Sequence, residues 1–154
     1  MKKLIVIALA VVMTFAVVAF AACAKEETVT GECSYDSYGH TYGVKVDVTV
    51  KGGVITAVKL YKDSETGWVR TSDNNADRGW LVHDEVEAAY EGWIEKEIIG
   101  KTVDEVNAWE AAATADGQTV TKGPILKLTT GETAQQSSAR IIVAVQNALS
   151  KIGK

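Results

Sequence analysis

Hydrophobic and polar positions alternate most regularly between residues 44 and 61. Valines at 44, 46, 48 and 50 alternate with lysine, aspartate and threonine. This two-residue period is typical of a strand with one buried face. Gly52 and Gly53 offer two positive-φ positions for a tight turn, and Val54–Tyr61 returns as the partner strand. We predict a β-hairpin here, preceded by a strand over Val29–Tyr35 and turn formers over 36–43.

The second half of the chain shows helical spacing. Residues Trp80–Ile99 predict one helix, which Gly100 ends. Thr102 then starts another, with Glu105 completing a capping box and Ala111 on its apolar face. Residues 116–123 are predicted as a loop or hairpin tip, and 125–128 as a strand-like approach to the last helix. That helix carries its apolar residues on one face: Ile141, Ile142, Val145, Ala148, Leu149 and Ile152.

These elements predict an α+β fold in one domain. The antiparallel sheet is built on the central hairpin of residues 44–61, with helices packed on one side and the C-terminal helix closing the core. A length of 154 residues is enough for such a core. Between hairpin and helices, residues 63–79 form a polar stretch longer than a simple connection, and long loops of this kind are often functional.

The first 22 residues have the composition of an export signal. Lys2 and Lys3 precede an almost wholly apolar run, which ends in small residues before Cys23. This junction resembles a bacterial lipobox, which implies that Cys23 is lipidated and anchors the chain outside the cytoplasm at the membrane. Cleavage after the triplet 22–24 and retention as a membrane helix are the alternatives. Residues 23–28 then form a polar tether and residues 29–154 the folded domain.

Charge and cysteine content narrow the possible partners. Removal of the signal leaves 14 basic and 20 acidic side chains, a net charge of −6, so we expect no nucleic-acid partner. Lipidation of Cys23 leaves Cys33 without a disulfide partner. Two histidines and two cysteines scattered along the chain do not predict a metal site. Hydrolase and nucleotide-binding motifs are absent from the sequence, and we assign no catalytic residue.

A cluster of hydroxyls precedes the last helix. Five of them, at 129, 130, 133, 137 and 138, surround Gly131. Ser137 or Ser138 is expected to cap the helix. Because free backbone N–H groups and the positive end of the helix dipole attract anions, the cluster is also a candidate phosphate site. The alternative interpretation is a capped helix behind a polar loop.

Several motifs, taken in order, resemble one known family. They are Val-Thr-Gly-Glu-Cys at 29–33, the 44–50 strand, the Gly-Gly turn, Ser-Glu-Thr-Gly at 64–67, the segment 98–106, Thr-Gly-x-Thr at 130–133, and Ala-Arg-Ile-Ile-Val-Ala-Val at 139–145. Over about residues 29–150 the chain resembles the FMN-binding domain of extracytoplasmic flavoproteins. That family includes the flavin-bearing subunits of the Na⁺-pumping quinone reductase and of Rnf-type complexes, and many free-standing bacterial lipoproteins.

The resemblance implies FMN as cofactor, held by its phosphate at the Thr130–Thr133 loop. In the family the last threonine, here Thr133, can be joined to FMN by a phosphoester that a separate flavin transferase makes. Glu132 stands where the family has alanine, and counting back from the helix puts Gln135 at the acceptor position, so covalent attachment is left open. The candidate cofactor-binding residues are Thr133, Thr130, Gly131, Thr129, Ser137, Ser138, Ser64, Glu65, Thr66 and Gly67.

The function that the resemblance implies is electron transfer. We expect a membrane-anchored, extracytoplasmic FMN-binding lipoprotein that serves as a redox carrier rather than a substrate-transforming enzyme, with an unidentified redox partner at the membrane. The alternative is a flavin-free lipoprotein of the same fold that acts as a cell-surface binding or interaction module. Glu132 and the two extra residues before Ser137 favour that alternative, whereas the intact loop motifs favour FMN.

Overall fold

The computed structural model describes most of the predicted domain. The described residues are 24–37, 40–61, 84–114, 117–128, 131 and 133–153. The predicted signal segment, Cys23 and all of the long polar loop of residues 63–79 lie outside them.

A three-stranded antiparallel sheet forms the first half of the fold. Its strands, β1 (Glu26–Ser37), β2 (His40–Lys51) and β3 (Val54–Leu60), lie in the order in which they occur along the chain. The hairpin of β2 and β3 turns at Gly52 and Gly53, both at positive φ, as the sequence predicted. The turn formers over 36–43 belong mostly to strands, because β1 and β2 stay paired as far as Ser37 and His40.

Within the described residues, three helices and a second hairpin follow the sheet. They are α1 (Asp84–Glu97), α2 (Val103–Asn107), β4 (Glu110–Thr114), β5 (Gly117–Lys122) and α3 (Gln135–Leu149). The α+β class, with its antiparallel sheet and closing C-terminal helix, is therefore confirmed.

The predicted capping box starts α2. Thr102 Oγ1 accepts a hydrogen bond from the Glu105 N–H at 3.1 Å, and Glu105 Oε2 accepts one from the Thr102 N–H at 2.8 Å. The predicted length of this helix is wrong, however, because α2 ends at Asn107 and Ala111 belongs to β4. The loop predicted over 116–123 is likewise mostly β5, which pairs with β4.

The hydrophobic core lies between the sheet and α3. The alternating valines of β2 and the apolar face of α3 are both buried, and α3 packs across β1, β2 and β5. The helix and the sheet lie very close together at Gly31 of β1, where a Cβ atom would lie 2.0 Å from the Ala144 carbonyl oxygen and 2.5 Å from the Ala148 nitrogen. Glycine at 31 therefore lets the helix rest directly on the strand.

Both outer strands of the sheet are partly covered along their edges. Asn147 and Lys151, from the end of α3, donate to the Glu32 and Thr30 carbonyls of β1 at 2.8 and 2.6 Å. On the other side, the segment after α1 pairs with the start of β3, through bonds such as Ile55 N–H to the Lys101 carbonyl at 2.9 Å. These contacts satisfy edge groups that would otherwise be open to another strand.

The sheet face opposite the core carries a polar network around Asp47. Thr30 and Tyr61 each donate a hydroxyl hydrogen bond to its carboxylate, both at 2.6 Å. Burial alone would raise the pKa of Asp47, but these two hydrogen bonds, together with the charges of Lys59 and Lys45, hold that pKa below its ordinary value. The network joins β1 and β2 to Tyr61, the residue that follows β3 and precedes the long polar loop.

Asp47 gives a testable pH dependence. Because its folded-state pKa is lowered, its stabilising contribution is present above the unfolded-state pKa of about 3.9 and is lost as pH falls through the lower folded value. We expect Asp47→Asn to lower the free energy of unfolding by about 1 kcal/mol at neutral pH, near the low end for bonds to a charge because the site is half-exposed. Urea titrations of both proteins between neutral and acid pH measure the difference.

In acid the two unfolding curves should converge. Tyr61→Phe is the matched variant, since it removes one of the two donors and leaves the carboxylate; it should show a smaller loss with the same pH profile. A difference between wild type and Asp47→Asn that does not change with pH would contradict this account of Asp47.

Candidate functional site

The loop before α3 is a tight reversal of the chain. The Ala134 N–H donates to the Leu126 carbonyl at 2.8 Å, and Lys127 and Thr133 form an isolated antiparallel bridge. Inside this reversal the Gly131 N–H bonds to the Leu128 carbonyl at 2.9 Å. Gly131 has φ of +87°, a conformation that favours glycine over other residues. The reversal leaves Gly131 and Thr133 exposed directly before the helix.

Among the described residues, no side chain caps the first turn of α3. The N-cap residue is Ala134, and no side chain there bonds to the free N–H groups. The predicted cap at Ser137 or Ser138 is therefore wrong: the helix begins at Gln135, because Gln135 and Gln136 are good helix formers that extend it past the serines. Nor does the first turn contain an acidic residue.

Ser138 ties the reversal to the helix. It is fully buried. Its Oγ accepts a hydrogen bond from the Leu126 N–H at 2.9 Å and donates one to the Ala134 carbonyl at 2.7 Å. The hydroxyl thus both donates and accepts a hydrogen bond within the chain, and Ser138 links the two ends of the loop.

Ser137 faces α1 rather than solvent. It is buried, and its hydroxyl is hydrogen-bonded to that of Tyr90, which is also buried. Burial raises the pKa of Tyr90, while the bond to Ser137 and the charge of Arg140 act in the opposite direction and do not cancel it. Tyr90 is therefore a neutral phenol at physiological pH, and it connects α1 to the start of α3.

Arg140 is a buried charged residue near the start of α3 that the sequence pattern did not predict. Its side chain is only 3% exposed. One of its terminal nitrogens, Nη2, donates to Gln136 Oε1 at 2.9 Å. The sequence contains one indication of this burial. Arg140 has helical spacing with Ser137, Ala144 and Ala148, on a face whose neighbours the apolar pattern assigns to the core.

Cys33 lies near this arginine from the side of the sheet. It is a free, buried thiol on β1, with its Sγ 3.8 Å from Gln118 Oε1. Burial raises the pKa of Cys33, and the charge of Arg140 and the contact with Gln118 offset this only in part. The thiol is therefore protonated at neutral pH and is not an activated nucleophile.

Gln135, the alternative acceptor position, is held by β5. Its Oε1 accepts a hydrogen bond from Thr119 at 3.1 Å. A carboxamide cannot form the phosphoester that a threonine forms, so in this register FMN would be bound without a covalent link. Thr133, by contrast, is an exposed hydroxyl one residue before the N-cap.

The structure describes only some of the predicted site residues. Gly131, Thr133, Ser137 and Ser138 lie together around the start of α3. Thr129, Thr130, the Ser64–Gly67 loop and the lipidation site Cys23 fall outside the described residues, so their roles stay predictions. A separate open groove of about 470 Å³ lies beside Trp109 and Pro124, with Lys101 and Lys122 at its walls.

Within the described part of the chain, no helix is long and apolar enough to cross a membrane. No group of three or more histidine, cysteine, aspartate or glutamate side chains within the same ranges is arranged to hold a metal ion.

Comparison of the chain with protein-family models, with curated proteins and with solved structures found no match. The family resemblance therefore depends on the order of the motifs quoted above.

Proposed function

We propose that the chain is a membrane-anchored, extracytoplasmic lipoprotein that binds FMN and carries electrons. Lipidated Cys23 is its anchor, and a redox partner at the membrane supplies or accepts the electrons. Bound FMN supplies the redox chemistry through its isoalloxazine ring, while the protein binds it, orients it and tunes its potential.

One observation supports this proposal most strongly: the start of α3 suits a phosphate. No described side chain caps its backbone N–H groups, and its first turn, residues 135–138, has no acid. Such an end attracts a dianion through the helix dipole and the free donors. Gly131 and Thr133 lie exposed in the reversal that leads into it, at the positions where the family resemblance puts the phosphate.

The residues of the site have different tasks in this proposal. The first-turn N–H groups of α3 receive the phosphate, and the Thr133 hydroxyl is its nearest candidate partner outside the helix. Ser138 positions the loop through its bonds to Leu126 and Ala134. Ser137 and Tyr90 fix α1 against the same turn. In this proposal the protein's residues bind and position the cofactor.

Expression with and without a flavin transferase tests the proposal. The full chain is purified after growth with excess FMN, and its absorbance is recorded in the flavin bands. We expect a yellow protein. A denaturing gel then shows whether fluorescence stays with the chain, as it does only for a covalent flavin. Thr133→Ala should abolish gel fluorescence, and Thr56→Ala, an exposed threonine on β3, should leave it unchanged.

Other outcomes have defined meanings. A yellow protein whose flavin leaves on denaturation, with or without the transferase, indicates noncovalent binding, consistent with Gln135 at the acceptor position. A protein that is colourless under every condition would contradict the flavin proposal and would favour a flavin-free surface module of the same fold.

A further inference from the structure

The chain enters the described domain beside the β2–β3 turn. Glu26, the first residue of β1, pairs with Lys51, the last residue of β2. Just before β1, the Cβ of Ala24 lies 3.4 Å from the position that a Cβ on Gly52 would take. Ala24 directly follows Cys23, the predicted lipidation site. A lipid on Cys23 is therefore attached at the end of the sheet that contains the β2–β3 turn, which we call the anchor end.

The connection between this lipid and the sheet is short. Glu26 follows Cys23 by three residues and is already paired within the sheet. Three residues span at most about 11 Å when fully extended. The predicted mature chain has 14 basic and 20 acidic side chains, so electrostatic attraction does not draw the other surfaces of the domain onto an anionic bilayer. The anchor end is therefore the part of the domain that is held at the membrane.

Helix α3 runs antiparallel to β1, so it begins far from the anchor end. Lys151, just past the end of the helix, donates to the Thr30 carbonyl of β1 at 2.6 Å. Arg140, closer to the start of the helix, lies near Cys33, three residues further along β1. The helix continues from Arg140 back to Gln135, its first residue. The start of α3 therefore lies beyond Cys33, on the side away from the anchor end.

The lengths of strand and helix give the separation between the two ends. Cys33 follows Ala24 by nine residues, which correspond to about 30 Å of strand. The helix from Arg140 back to Gln135 adds about 7 Å along its own axis. With strand twist and an oblique helix, the start of α3 lies about 25–35 Å from the anchor end. Electron transfer slows steeply with distance, so a molecule dissolved in the bilayer is too far away to exchange electrons with a flavin there.

We propose that the anchor end faces the bilayer and that the start of α3 faces away from it, toward a protein partner. This inference rests on the proposed function, because it takes Cys23 to be lipidated and FMN to lie at the start of α3. The partner is a protein domain that extends beyond the membrane surface and carries its own redox centre. That centre is oxidised as the flavin is reduced, or reduced as the flavin is oxidised.

Energy transfer to the bilayer surface tests this orientation. The full chain is produced in a bacterium that processes lipoproteins, and it is reconstituted into phosphatidylcholine vesicles with an acceptor dye on some headgroups. A donor dye is attached to Asp104→Cys or to Lys127→Cys, both at exposed positions. Asp104 follows Val103, whose N–H bonds to the Gly53 carbonyl at 3.0 Å, whereas Lys127 pairs with Thr133 directly before α3. We expect transfer from position 104 to be several-fold more efficient than from position 127.

Two controls and one reaction complete the experiment. Wild type gives the labelling background, because Cys33 is buried and lipidation leaves no free thiol at Cys23. Cys23→Ser, which cannot be lipidated, should abolish transfer from position 104. In vesicles that contain FMN-loaded wild type and a reduced quinone, the flavin absorbance should persist until the soluble reductant dithionite is added.

The outcomes separate this inference from the proposed function. Strong transfer from position 104 and weak transfer from position 127, in a protein that holds no flavin, would support the orientation while the flavin proposal fails. Equal transfer from both positions, or reduction of the flavin by the quinol alone, would overturn the inference and leave FMN binding intact. A free thiol at Cys23 in wild type would overturn it as well, because the lipid that holds the anchor end at the membrane would be absent.

Discussion

Replacing Gly31 with alanine should destabilise the domain by about 3 kcal/mol, at the upper end of the usual cost of overpacking. The new Cβ would lie 2.0 Å from the Ala144 carbonyl oxygen and 2.5 Å from the Ala148 nitrogen. Both are backbone atoms of α3, so no side-chain rotation relieves the clash, and strand and helix must move apart. The free energy of unfolding, measured in urea, gives the size of the loss.

Gly92 is the matched control for this substitution. It lies in the middle of α1, and no heavy atom stands within 4 Å of the position that its Cβ would take. Gly92→Ala should therefore stabilise the domain by about 0.5–1 kcal/mol, the ordinary helix-propensity gain. The same substitution should therefore change the free energy of unfolding in opposite directions at Gly31 and Gly92. A Gly31→Ala protein as stable as wild type would contradict the described packing of α3 on β1.

Ser138→Ala should cost about 1–3 kcal/mol, because it leaves the buried Leu126 N–H without its acceptor. The Ser138 Oγ is the atom that receives this N–H, at 2.9 Å, and the residue is fully buried. Beyond global stability, the loss should loosen the reversal between Leu126 and Ala134. Amide hydrogen exchange should therefore become faster at Leu126 in the variant.

Ser150→Ala is the matched control for Ser138→Ala. The Ser150 hydroxyl bonds to the Asn147 carbonyl at 2.9 Å on the exposed C-terminal end of α3. Ser150→Ala removes a similar local bond where water can replace it, so stability should change by no more than about 0.5 kcal/mol. Equal effects of the two substitutions would mean that Ser138 does not hold the loop.

The local pattern of hydrophobic and capping residues was enough to predict those elements whose stability depends on residues close together in the sequence. Alternation of valines predicts β2, because one face of that strand is dry and the other half-exposed. Thr102 and Glu105 predict the start of α2, since a capping box is complete within four residues. The apolar face of α3 is equally local, and its predicted residues are all buried except Ile152, which is partly buried.

Elements that depend on distant contacts were missed. The strand β4 consists largely of alanines, which are weak strand formers, and it exists because β5 pairs with it. The serines of α3 looked like caps because hydroxyls favour that position. In the fold they turn inward to meet Tyr90 and Leu126, partners more than ten residues away.

The candidate site was predictable in part. A glycine-centred hydroxyl loop before a helix could be read from the sequence, and Gly131 and Thr133 do lie exposed at that point. The burial of Arg140 against the sheet and α1 could not be, because long basic side chains are usually solvated. The structure thus adds a buried guanidinium, that of Arg140, close to the start of α3.

The most direct test of the central claim is a calorimetric titration of FMN into the purified, flavin-free full chain. Our account predicts saturable binding of a single FMN per chain, exothermic because hydrogen bonds and charge dominate the contact, and weakened as salt screens the phosphate. Heat that does not saturate at any FMN concentration, or binding that is equally tight for riboflavin and indifferent to salt, would contradict it.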